Sequence, residues 1–123
     1  MSSSVEQLAS CPDKPNCVNS QSVDRRHQVL PLNYSGEPAT AMERLRRVIE
    51  SMQRTQVVSA GNDSLRAEFK SAVLGFVDDV DCLLDAKARV IHIRSASRLG
   101  YSDFGVNRKR VEAIRAAFDA AAK

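Results

Sequence analysis

Ala41, Leu45, Val48, Ile49 and Met52 fall at i, i+4, i+7, i+8 and i+11, a single apolar stripe that predicts a helix opening at Pro38 or Thr40. Glu43 near its start and Arg54 at its end suit the helix dipole. A short strand over 56–60 then meets Gly61-Asn62-Asp63, a turn signal. Leu65, Ala67 and Phe69 alternate with Arg66, Glu68 and Lys70, so the two runs read as a hairpin with one wet face. After Gly75 a longer strand reaches about residue 84. Phe76, Val80, Cys82 and Leu84 share one face and Val77, Asp79, Asp81 and Leu83 the other, which places Asp78 on the apolar side. Asp85-Ala86-Lys87 turns the chain into a strand over 89–95. A last helix over 106–122 carries Val111, Ile114, Phe118 and Ala121 on one side.

Connections this short allow only antiparallel neighbours. The expected fold is α+β: a four-stranded antiparallel meander with two helices, one before and one after the strands, packed on one face. Residues 1–10 read as a flexible tail. Residues 11–40 hold all four prolines and read as an extended lead-in, docked through Val29-Leu30-Pro31-Leu32. Residues 11–123 are then expected to form one domain.

The composition fits that picture: 123 residues, 43% hydrophobic, with no apolar run near the roughly 18 residues of a membrane span. Met1-Ser-Ser-Ser-Val5 lacks the charged and apolar regions of a signal peptide. The sequence as it stands reads as cytoplasmic, or as periplasmic or envelope if an export segment has been removed. Cys11 and Cys17 have five residues between them, wider than zinc sites favour, with only His27 nearby, so no metal site is expected. That spacing leaves open a local disulfide, expected in an oxidising compartment, or two thiols in an ordered loop. Cys82 reads as core and His92 as a packed strand residue. No cofactor motif is present.

A net charge of +3 looks bland, but it is unevenly spread. Residues 76–85 carry Asp78, Asp79, Asp81 and Asp85 and no cation, while 94–110 carry five basic residues against Asp103. The two segments should be neighbours. In one reading Asp78 or Asp79 pairs with Arg94 or Arg98 and Ser102 or Asp103 caps the last helix. In the other, the hydroxyls of Ser95, Ser97, Tyr101 and Ser102, the glycines Gly100 and Gly105, and Arg94, Arg98, Asn107, Arg108 and Arg110 converge on an anion at the helix N-terminus. Three cations in the first turn oppose the dipole, a hint of function, and the two readings weigh equally and can coexist.

Three functions follow. The first is a non-enzymatic binding domain for a small anionic ligand or an acidic protein surface. The second is a hydrolase or transferase using Asp78 or Asp79 with Arg94 and Arg98. The third is a module docking on a protein or membrane surface. Aromatic residues make up 5% of the chain and are sparse in the basic patch, which argues against nucleic acid.

Cys11-Pro-Asp-Lys-Pro-Asn-Cys17-Val-Asn-Ser20, His27-Gln-Val-Leu-Pro31-Leu32, Gly75-Phe-Val-Asp-Asp79-Val and the run from Arg94 through Arg98-Leu-Gly100-Tyr-Ser-Asp103-Phe-Gly105-Val-Asn107-Arg108-Lys-Arg110 to Glu112 resemble the bacterial and plastid family called domain of unknown function 1499. The resemblance spans residues 11–118 and brings no activity or cofactor. It implies recurring positions at Phe76, Asp78, Asp79, Arg94, Ser97, Arg98, Gly100, Asp103, Gly105, Asn107, Arg108 and Arg110, where charge counting also points. It further implies an envelope location for many relatives, and a Cys11–Cys17 pairing in exported ones.

Overall fold

The alternation along the middle of the chain becomes sheet. The computed structural model describes residues 7–72 and 75–122. Its strands are β1 (Cys17–Asn19), β2 (Leu32–Asn33), β3 (Thr55–Ala60), β4 (Ser64–Lys70), β5 (Val77–Asp85) and β6 (Val90–Ser97). The helices are α1 (Pro38–Glu50) and α2 (Val106–Ala121). All strand pairs are antiparallel, in the order β1-β6-β5-β4-β3, with β2 also on β6.

The meander β3–β6 is present, but the sheet has six strands rather than four, because the lead-in contributes β1 and β2 along the outer edge of β6. Two- and three-residue strands are too short to show a period, and their partner lies some 60 to 80 residues away. Residues 8–10, expected to be part of a flexible tail, are also tied down. Leu8 N–H donates to Gln21, and the carbonyls of Ala9 and Ser10 accept from Asn19 and Arg94. The rest of that tail lies largely outside the described residues. Cys11 and Cys17 are joined by a disulfide that anchors the segment to β1.

Both helices cover one face of the sheet. Ala41, Met42, Leu45 and Ile49 of α1 and Val111, Ile114 and Phe118 of α2 close over Leu65, Ala67, Phe69, Val80, Cys82, Ile91 and Ile93 as one cluster. Pro38 takes the first turn of α1, where its missing N–H costs nothing. Helix α1 ends at Glu50, short of the expected end: Arg54 lies beyond it with φ 56°, in the turn into β3. No helix among the described residues is long and apolar enough to cross a membrane.

Register puts Asp78, Ser95 and Ser97 on the core face with Phe69, at the end of the sheet beneath the first turn of α2. There the apolar face gives way to polar groups.

Candidate functional site

Asn107 is the hub of that polar end and is fully buried, as is Ser95. Its Oδ1 accepts from Ser95 Oγ at 2.6 Å and from Arg110 Nη1 at 3.0 Å. Its Nδ2 donates to Ser97 Oγ, Asp103 Oδ2 and the Asn16 carbonyl at 2.9, 2.7 and 3.2 Å. Arg110 reaches Asp78 Oδ2 at 2.7 Å, both side chains being largely buried, and lies over the Phe69 ring. One amide thus joins β6, α2, the lead-in and the loop. Such a satisfied buried network fixes geometry more than it adds net stability, while removal of a member strands several partners.

Of the two aspartates offered as partners for Arg94 or Arg98, Asp78 is not the one so paired. Its partner is Arg110, one turn into α2, and not Arg94 or Arg98. Asp79, on the opposite face, does pair with Arg98. Nε and Nη2 of Arg98 contact the two carboxylate oxygens at 2.9 and 2.8 Å, and Nη2 also reaches Glu68 at 2.6 Å. The bonds from Arg98 hold the Asp79 carboxyl below the usual carboxylate range. That is the wrong direction for a general acid at neutral pH. On the same face Asp81 sits between Arg66 and Arg94 in register; burial raises its carboxyl above the ordinary value. Arg94 itself donates to Ser10, outside the expected cluster. His92 Nδ1 hydrogen-bonds the Ser20 hydroxyl at 3.1 Å, and its Nε2 lies 3.8 Å from Asp85 Oδ2.

The start of α2 is occupied by the chain's own acid. Gly105 is the N-cap at φ 84°, a left-handed conformation that suits glycine, and offers no side chain to the helix. Asp103 serves instead, taking the N–H of Gly105 on Oδ1 and that of Asn107 on Oδ2, while its carbonyl takes that of Val106. Ser102 Oγ accepts from Phe104 N–H, so it turns the loop rather than capping the helix. Two of the three cations that oppose the dipole also find partners. Arg110 holds Asp78, and Arg108 donates to the carbonyls of Gln28 and Arg26. Two turns on, Arg115 does the same to Pro31 and Leu30. Seven residues apart on one face, Arg108 and Arg115 clamp the lead-in to α2.

Two surfaces remain. A cleft of about 180 Å³ opens beside the start of α2, lined by Arg26, Ser102, Asp103, Gly105 and Arg108 against Pro15, Cys17 and Val18. Next to it the loop tip is apolar: Leu99, Tyr101 and Phe104 are 73%, 68% and 91% exposed. Phe76, flanking the same last rung of β5 and β6, is also exposed.

A profile of the family described as protein of unknown function DUF1499 matches residues 7–118. The chain belongs to this family. A search of curated proteins returns no match. The family description names no activity, so chemistry has to be argued from the geometry. Within this DUF1499 chain, Asp78, Ser97, Asn107 and Arg110 come together in the buried network, while Asp79 and Arg98 pair on the other face. Arg94 and Tyr101 join neither group. Sequence reasoning counted Ser95 among the converging hydroxyls without placing it on the core face, and left Asn16 out of the site. Continuing the alternation Ile91, Ile93 would have placed Ser95 on the core face.

Proposed function

We propose that this DUF1499 chain is a non-catalytic binding domain that takes an acidic group into the cleft beside α2. The group is a carboxylate or phosphate carried by a small molecule or by a protein surface. One observation supports the reading. Two guanidinium side chains, Arg26 and Arg108, and the hydroxyl-bearing Ser102 line a shared space of about 180 Å³; Arg26 also pairs with Asp13 and Asp24, and Arg108 with lead-in carbonyls, so a bound anion would share them. The carboxylates an enzyme would use are committed elsewhere, Asp78 to Arg110 and Asp79 to Arg98. The network around Asn107 holds the loop that forms one wall of the cleft. The Cys11–Cys17 disulfide suits an oxidising compartment.

Thermal unfolding with inorganic phosphate, and separately with citrate, tests this. Either anion should raise Tm of the wild type, and Arg108→Gln should abolish the rise. Arg115→Gln removes an equivalent clamp on the lead-in without lining the cleft, so it should keep the rise. A wild type indifferent to both anions, or a rise that survives Arg108→Gln, would overturn the reading.

A further inference from the structure

The apolar tip calls for a different partner from the cleft. Among the described residues eight large apolar side chains are exposed, and five of them, Phe76, Leu99, Tyr101, Phe104 and Val106, stand at one end of the sheet. That clustering distinguishes a patch from the scattered apolar residues of any surface. Phe104 costs the fold twice. It is 91% exposed, and its φ of 53° lies in the left-handed region that a bulky side chain disfavours. Asn or Gly would serve the loop better, so packing does not explain this residue.

We propose that the tip formed by Phe76, Leu99, Tyr101 and Phe104 inserts into the headgroup region of an anionic lipid bilayer. The charges around it select that occupant. Lys109 follows five residues after Phe104 at the start of α2, and Lys70, paired in register with Val77, lies beside Phe76. The one acid of the loop, Asp103, is turned inward to Asn107 and the start of α2. A second copy meeting this patch about a two-fold axis would bring its cations against their own equivalents. The side chains of the tip are highly exposed, as aromatic and aliphatic groups beside cations are at membrane interfaces. The proposal is independent of what the cleft binds.

The full chain is sedimented with vesicles of phosphatidylcholine alone and with vesicles containing phosphatidylglycerol, at low salt and at about 0.5 M salt. The expected result is binding to the anionic vesicles that weakens with salt and falls about tenfold or more in Phe104→Asn. Because Asn tolerates the left-handed conformation, Phe104→Asn should keep the wild-type Tm, so that lost binding cannot be ascribed to unfolding. Arg115→Gln should bind like the wild type. Three results would overturn the proposal: no preference for anionic vesicles, unchanged binding by Phe104→Asn, or a wild-type dimer in vesicle-free solution that this substitution makes monomeric.

Discussion

The segment from Arg94 to Arg110 has two halves that obey opposite rules. Its inward half, Ser95, Ser97, Asn107 and Arg110, is polar where the fold is dry, and its members bond to one another or to Asp78 and Asp103. Its outward half, Leu99, Tyr101 and Phe104, is apolar where the fold is wet, and Phe104 adopts a disfavoured backbone conformation as well. Each half breaks the usual patterning of inside and outside. The inward half offsets the breach through hydrogen bonds, so it is explained by structure. The outward half has no such compensation within the chain, and that is the reason for assigning it a partner.

The comparison can be broken most forcefully at Arg110. Arg110→Ala leaves the Asp78 carboxylate buried without a countercharge and should cost about 3 kcal/mol in urea unfolding. Replacing both partners, as Asp78→Leu with Arg110→Met, should recover much of that loss, because no unpaired charge remains. Next in size is the disulfide that holds the cleft wall. Cys11→Ser with Cys17→Ser opens a loop of sequence separation 6 and should lower stability by about 2 kcal/mol.

The smallest effects belong to the outer face and carry opposite signs. Asp79 titrates lower in the folded chain than its ordinary 3.8, so it adds stability at neutral pH that is lost as pH falls through the folded value. Asp79→Asn should therefore be less stable than wild type at pH 7, by less than about 1 kcal/mol for so accessible an ion pair. Asp81 titrates higher in the folded chain because burial penalises its charge, so its contribution is favourable in acid and is lost as pH rises. Asp81→Asn should equal or exceed the wild type at pH 7. Both differences should close on acidification, as measured by Tm across pH.

Much of the fold was legible because its signals are local and sustained. The stripe from Ala41 to Ile49 and the alternation from Leu65 to Phe69 and along β5 and β6 each run far enough to show a period. β1 and β2 do not, since their pairing with β6 depends on the path of the lead-in. The site was legible as a place but not as a wiring. Charge counting brought residues 76–85 and 94–110 together and offered Asp79 with Arg98 among its possible pairs, neighbours across the last rungs of the sheet. It missed Asp78 with Arg110, because that contact depends on which way α2 crosses the sheet. Arg108 reads as a ligand arginine until the lead-in carbonyls are placed against it. Phe104 gives no signal in the sequence, where an apolar loop residue is as easily docked as exposed.

The central claim is that the inward half holds the fold and the outward half does not. Equilibrium urea unfolding of the wild type, Asn107→Ala and Phe104→Asn under identical conditions tests it most directly. Asn107→Ala should lose about 3 kcal/mol, since it strands the buried Ser95 hydroxyl and takes one hydrogen bond each from Arg110 and Asp103. Phe104→Asn should stay within about 0.5 kcal/mol of the wild type or exceed it. A Phe104→Asn protein destabilised as much as Asn107→Ala would contradict the account.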